Sequence, residues 1–317
     1  MFKGIYTALV TPFKDGKVDE KALVALIRSQ VDAGIDGLVP VGTTGESPTL
    51  DCEEHLRVIE ITIQEAAGKA KVLAGTGGNA TQEAIHLTQE AQRLGADGSL
   101  QVAPYYNKPS QEGLYQHFEA IAKKVELPMI LYSIPGRCHV SIEVPTVKRL
   151  AQACPHIVGI KEAGGDADRV SQLRQAMGPE FTILSGDDGL TLPFMSVGAE
   201  GVISVASNVI PETMVAMVRA CQEGRFFDAL EIHERFHPLF KALFIENGEG
   251  ERFKYPFKHL AGARAMQQHV AHGGYPHDNF GQHIIDMSES LAKLRTFDRY
   301  VSRHDLMNDD TNTIVEK

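Results

Sequence analysis

Short apolar runs and longer amphipathic stretches alternate along roughly the first 222 residues, the rhythm of strands followed by helices around a parallel sheet. Eight apolar runs read as strands: Gly4–Val10, Gly37–Val41, Lys71–Ala74, Gly98–Val102, Pro128–Tyr132, Ile157–Ile160, Thr182–Leu184 and Gly201–Ser204. A helical run follows each, beginning near Asp19, Asp51, Thr81, Ser110, Ile142, Asp166, Asp188 and Pro211. Several of these open on an Asp, Ser or Thr able to cap free amides, or on an early proline whose fixed φ suits a first turn. Eight such repeats predict a closed α/β barrel, a (β/α)8 barrel of the TIM type. An open doubly wound sheet alternates in the same way, but its first strand normally leads into a Gly-rich dinucleotide turn. Thr11-Pro-Phe-Lys-Asp-Gly16 stands in that place.

A further helix, Arg225–Phe244, carries apolar residues three and four apart and is expected to pack beside the barrel. After Asn247 the binary pattern dissolves. The chain is therefore divided into a catalytic barrel at 1–222, a helix of a C-terminal bundle at 223–246 and an atypical tail at 247–317.

Composition narrows the class. With 317 residues, 43% hydrophobic and 23% charged, the chain can fill one large barrel and an appendage. Lys and Arg number 31 against 41 Asp and Glu, and the net charge of −10 speaks against nucleic acid or an anionic membrane as partner. An anionic substrate would need cations of its own in the site. Cys52, Cys138, Cys154 and Cys221 are scattered, with no C-x-x-C pair, and read as free thiols in a reducing cytosol. The opening Met1-Phe-Lys-Gly-Ile-Tyr-Thr-Ala-Leu-Val-Thr-Pro12 breaks its apolar run too early for a signal peptide, and no later run approaches a membrane span. A cytoplasmic location is expected.

In a barrel of this type the chemistry sits on the loops at the C-terminal ends of the strands. Lys161 directly follows the apolar run His156-Ile-Val-Gly-Ile160, at the barrel mouth, where partial desolvation can leave a neutral amine for imine formation with a ketone. A lone lysine there ordinarily snorkels to water, so its company matters. Tyr132 ends the preceding strand and is expected beside Lys161, close enough to pass protons to and from a carbinolamine. Gly42-Thr-Thr-Gly45 offers successive amides and two hydroxyls suited to a carboxylate. Arg137 can pair bidentately with a second carboxylate.

Gly-Thr-Thr-Gly-Glu-Ser at 42–47, Pro-Tyr-Tyr-Asn-Lys-Pro-Ser-Gln-Glu-Gly at 104–113 and Gly-Ile-Lys-Glu-Ala at 159–163 together resemble the dihydrodipicolinate synthase family, within the wider group that includes N-acetylneuraminate lyase. The resemblance runs from Phe2 to about Glu246. It implies a Schiff-base condensation of pyruvate with aspartate semialdehyde, giving 4-hydroxy-tetrahydrodipicolinate on the route to diaminopimelate and lysine, with no metal or organic cofactor. It makes Lys161 the imine-forming lysine and Tyr132 the proton relay, with Thr43 linking Tyr132 to Tyr106, a residue that reaches into a neighbouring subunit of a homotetramer. Thr43 and Thr44 would hold the pyruvate carboxylate and Arg137 that of the aldehyde, while Gly186 and Ile203 would line the pocket through their carbonyls. Ser133 departs from the commoner family Asn. A lysine-binding regulatory site is implied at Ser47, Pro48, His55, Asn79, Glu83 and Tyr105, with Glu83 as counter-ion. Two other readings stay open: a sialic-acid or sugar-acid pyruvate aldolase of the same group, against which Arg137 argues, and a non-catalytic sensor of a pyruvate-like ligand.

The resemblance stops at Asn247-Gly-Glu-Gly-Glu-Arg252, where the family continues with a segment like Asn-Pro-Ile-Pro-Val-Lys and two more helices. The tail beyond holds six of the 13 histidines. A reading-frame shift, a divergent ending and a metal-binding tract compete. The abrupt break favours the frame shift, and His269, His272 and His277 lack the i, i+4 spacing of a helical metal site.

Overall fold

The computed structural model describes residues 2–243. Phe244, the boundary at Glu246, the tail at 247–317 and its histidines lie outside the described residues.

Eight parallel strands close into a barrel: β1 (Gly4–Ala8), β2 (Gly37–Val39), β3 (Lys71–Gly75), β4 (Gly98–Val102), β5 (Met129–Ser133), β6 (Ile157–Glu162), β7 (Thr182–Ser185) and β8 (Gly201–Ser204). Each pairs with its sequence neighbours, and β8 returns to β1 with Gly4 opposite Gly201 and Thr7 opposite Ser204. The expected (β/α)8 architecture is thus present. The helices are α1 (Glu20–Asp32), α2 (Cys52–Ala66), α3 (Thr81–Leu94), α4 (Gln111–Ala122), α5 (Val144–Ala153), α6 (Ala167–Met177), α7 (Thr191–Ser196), α8 (Pro211–Gln222) and α9 (Phe226–Ala242).

The predicted caps do their physical job. Asp19 accepts from the Ala22 amide, Ser110 from that of Gly113, and Asp166 from that of Asp168. Asp51 and Glu54 form a reciprocal capping box on α2. Most boundaries shift by one or two residues, and three differences matter for the site. β2 ends at Val39 because the chain turns sharply there, Val41 taking φ +50°. The helix expected from Asp188 begins as a single 3-10 turn, Asp188–Leu190, and α7 starts only at Thr191. Before α5 a four-residue helix, Pro135–Cys138, is inserted. A small hairpin, Phe13–Lys14 against Lys17–Val18, occupies the first loop and was not expected. Asp15 and Gly16 at its tip have φ of +52° and +75°, as a two-residue turn joining twisted strands requires.

The core is the barrel lumen plus the interface between sheet and helices, with Ile5, Leu38, Leu73, Leu131, Ile160 and Ile183 fully buried. Several polar groups inside it are paired with one another. The Thr7 hydroxyl donates to Gln30 Oε1 at 2.7 Å, and Gln30 Nε2 donates to the Ser207 carbonyl at 3.0 Å. Asn208 Nδ2 donates to the Ala8 carbonyl at 2.8 Å, while its Oδ1 accepts from the Val10 amide at 3.2 Å. These buried bonds clasp the end of β8 to the end of β1 and close the ring.

All four cysteines are free, Cys52 exposed and the others buried. Among the described residues no helix is long and apolar enough to cross a membrane.

Candidate active site

β5 and β6 run to Ser133 and Glu162, past the expected ends at Tyr132 and Ile160, so Tyr132 is no longer terminal and Lys161 lies inside the ladder rather than just beyond it. Lys161 is opposite Tyr132 on one side and Leu184 on the other. Its backbone is therefore held from both flanks, and the side chain projects into the mouth of the barrel. Lys161 Nζ sits over the Tyr132 ring, 4.1 Å from the centroid.

Only 7% of Lys161 is exposed. Burial, reinforced by the nearby Arg137 guanidinium and opposed by Asp188, lowers the ammonium pKa from 10.5 to about 7. A substantial share of the amine is then neutral and nucleophilic near pH 7. Tyr132 is moved the other way. Burial pushes its phenol up to about 12, against the Arg137 charge and a hydrogen bond with the Thr43 side chain. A phenol that stays protonated beside an amine that does not is suited to donate and recover a proton.

Around this pair lies a cavity of about 250 Å³, lined by Thr43, Thr44, Tyr132, Arg137, Lys161 and Gly186, among others. That volume suits a small keto acid and its partner. The loop after β2 supplies Thr43 and Thr44. Its turn is closed by the Gly45 amide bonded to the Gly42 carbonyl at 3.1 Å and the Glu46 amide bonded to that of Thr43 at 3.1 Å. The Thr11 hydroxyl fixes the same loop by donating to the Gly45 carbonyl at 2.7 Å. Arg137 rides on the Pro135–Cys138 helix, whose first turn is tied by amide bonds from Arg137 and Cys138 to the Ile134 carbonyl at 3.0 and 2.9 Å.

Two of the expected catalytic and substrate-binding residues do not line this cavity. Ile203 is 1% exposed within β8, opposite Tyr6, and its near neighbour Val205 reaches the cavity instead. Tyr106 is 92% exposed, with φ +73°, and is absent from the lining of the cavity of its own chain. Its neighbour Tyr105 does line the cavity.

Of the six residues of the implied lysine site, three line the cavity and three do not. Ser47, Pro48 and Tyr105 border the cavity itself. Asn79 Nδ2 donates to the Tyr105 carbonyl at 3.2 Å, and burial followed by the Glu83 charge raises the Tyr105 pKa. His55 is turned inward, with Nε2 2.9 Å from the Gly75 carbonyl, and burial lowers its pKa to about 4, leaving the ring neutral.

Several residues that shape the site were not singled out by the sequence. Cys138 lines the cavity and donates its thiol to the Ala103 carbonyl at 3.1 Å. Glu162, fully buried, accepts from Arg169 Nε at 2.7 Å and from the Gly164 amide at 2.7 Å, and Arg169 also donates to the Ile142 carbonyl. This anchors the chain immediately after Lys161. The neighbouring acids Glu162 and Asp188 stand next to motif residues in the sequence, but nothing in their spacing says that they face inward.

The sequence model of the dihydrodipicolinate synthetase family matches residues 1–261, past the expected break at Glu246. The chain is 54% identical over 246 residues to the 4-hydroxy-tetrahydrodipicolinate synthase of Aquifex aeolicus, a match spanning 78% of this chain and 84% of that one. The crystal structure of dihydrodipicolinate synthase from Aquifex aeolicus superposes with a TM-score of 0.80 at 46% identity, covering 93% of this chain and 98% of that one. The 4-hydroxy-tetrahydrodipicolinate synthase of Methylacidiphilum fumariolicum gives a TM-score of 0.79 at 48% identity, covering 93% and 99%. With a barrel, a strand-borne lysine and a family match over most of its length, this chain belongs to the dihydrodipicolinate synthetase family.

Proposed function

We infer that the chain is a lyase that condenses pyruvate with aspartate semialdehyde to give 4-hydroxy-tetrahydrodipicolinate, the activity of its relatives named 4-hydroxy-tetrahydrodipicolinate synthase, in lysine and diaminopimelate biosynthesis. The observation that carries the reading is Lys161, buried and held over Tyr132 with its pKa near 7.

In this reading the neutral Lys161 amine adds to the ketone carbon of pyruvate, and the carbinolamine loses water with a proton supplied through Tyr132, leaving a protonated imine. Thr43 hydrogen-bonds Tyr132 and, with Thr44, cradles the pyruvate carboxylate. Loss of a methyl proton gives the enamine, whose carbon attacks the aldehyde. Arg137, across the cavity, binds the aldehyde's carboxylate. The amino group of the second substrate then attacks the imine carbon, closing the ring and freeing Lys161. Gly186 packs against the Lys161 side chain in the cavity lining, and Ile203 lies buried within β8.

Tyr106 completes the relay from a neighbouring subunit of a homotetramer. Its exposure and left-handed backbone support this role, because a large ring held in solvent at a cost of about 1 kcal/mol suits a side chain made for another subunit. Ser47, Pro48, His55, Asn79, Glu83 and Tyr105 form a site for lysine as a feedback ligand.

Sodium borohydride added with pyruvate is expected to leave a reduced pyruvyl adduct on Lys161, seen by peptide mass spectrometry. A coupled assay should then show turnover of aspartate semialdehyde. An unmodified Lys161 would sink the imine mechanism, and turnover of N-acetylneuraminate in place of the semialdehyde would replace the substrate assignment.

A further inference from the structure

Forming an imine places a positive charge on a nitrogen buried at the bottom of the cavity, and it consumes a proton as it does so: amine, ketone and H⁺ give iminium and water. A buried cation without a counter-charge is costly, so the wall of the site should contain an anion. Among the buried acids the structure provides Asp188, whose charge acts on Lys161.

Asp188 is 1% exposed and sits two residues after Gly186, in the loop that leaves β7. That loop is in contact with the lysine: a Cβ placed on Gly186 would stand 2.9 Å from Lys161 Cε. Asp188 Oδ2 accepts from the amides of Val205 and Ala206 at 3.0 and 2.9 Å. Val205 itself lines the cavity. One carboxylate thus ties the loop after β7, which touches Lys161 at Gly186, to the loop after β8, and its charge acts on the lysine.

We propose that Asp188 is the positioning residue for the Lys161 cation, a buried counter-ion that clamps the two strand-end loops and stabilises the iminium formed with a 2-keto acid. This rests on the imine reading above. It assigns to Asp188 no contact with substrate.

The charged surroundings are few and set the sign of the effect. Lys161 feels Arg137, which disfavours its protonation, and Asp188, which favours it. Tyr132 beneath it is neutral near pH 7. Asp188 feels Asp187 beside it, and burial raises its own pKa to about 6, so it is mostly ionised at neutral pH. From α9, His237 approaches the neighbouring Gly189. Removing the Asp188 charge therefore makes Lys161 harder to protonate and the iminium less stable. Because the two groups interact, the acid limb belongs to the pair.

The test uses Asp188→Asn, whose amide oxygen can keep both backbone bonds while the charge is lost. Two quantities are read against wild type: the pH dependence of kcat/KM for pyruvate and the fraction of chains trapped by borohydride at fixed pyruvate. Expected are an acid limb displaced downward by at least half a pH unit and a several-fold lower trapped fraction at pH 7. If Asp188→Asn does not fold, Ser204→Ala, which removes a hydroxyl bonded to the same carboxylate, should move the limb in the same direction by less. A folded Asp188→Asn, or a folded Ser204→Ala in its place, with wild-type limb and trapping overturns the proposal alone. No adduct in wild type overturns the imine reading and this proposal with it.

Discussion

Gly186 and Lys161 are packed so closely that the glycine cannot acquire a side chain without moving the lysine. A Cβ there would lie 2.9 Å from Lys161 Cε and 2.6 Å from Ala163 Cβ, and the latter cannot swing aside. Gly186→Ala is expected to lower kcat by about tenfold to a hundredfold, since a displacement near 1 Å at a reacting atom costs on that order. The fold should lose only about 1–2 kcal/mol. Steady-state kinetics beside thermal unfolding separates the two; an undiminished kcat would show that Lys161 has room the geometry denies it.

The lysine's depressed pKa sets the pH profile. Imine formation needs the neutral amine, so kcat/KM for pyruvate should fall as pH drops through about 7, rather than near 10 as for an ordinary lysine. A profile flat from pH 8 to 6 would contradict this.

The same burial makes Lys161 a liability to stability. Its folded-state pKa of about 7 lies below the ordinary lysine value of 10.5. Above that ordinary value both states are neutral and nothing is lost. Between 10.5 and 7 the unfolded chain takes up a proton that the folded one refuses, so stability falls as pH falls, and below 7 the penalty levels off. Lys161→Met should therefore abolish activity yet raise the unfolding midpoint, by on the order of 5 °C at pH 7 and by less at pH 9. Equal shifts at both pH values would refute the charge argument.

Glu162 and Arg169 form a buried pair at 2.7 Å just behind the nucleophile. Replacing one member leaves the other uncompensated, so Glu162→Leu should cost about 3 kcal/mol, whereas Glu162→Leu with Arg169→Met should cost clearly less. Urea denaturation of the single and double variants measures the coupling. Additive losses would mean that the pair is not the anchor described above.

Thiol chemistry offers a direct check on packing. Cys52 is exposed, while burial raises the thiols of Cys138 and Cys221 to about 11 and raises that of Cys154 as well. A maleimide should label one cysteine per native chain quickly, and peptide mapping should find it at Cys52.

Much of this was legible in the sequence because period and caps carry the same message. Asp19, Ser110 and Asp166 cap helices where the pattern placed them, and all eight strands lie where apolar runs begin. The hairpin at Phe13–Val18 carried its signal in Asp15-Gly16, but two-residue strands are too short to show alternation. The adjacency of Tyr132 and Lys161 followed from counting strands. The inward aim of Cys138, Glu162 and Asp188 did not, because loop geometry and the side chains that face it are tertiary facts. Resemblance supplied Tyr106 and Ile203, and single-chain geometry sets both apart from the cavity.

The clasp between Asn208 and the Ala8 carbonyl also speaks to how the molecule is made. The first strand cannot gain its second neighbour until β8, at residues 201–204, has been synthesised. A chain emerging from the ribosome must therefore hold β1 with one open edge for nearly the whole of barrel translation. Ring closure is a late, long-range event, and it should be the slow step in folding and the stage most exposed to aggregation.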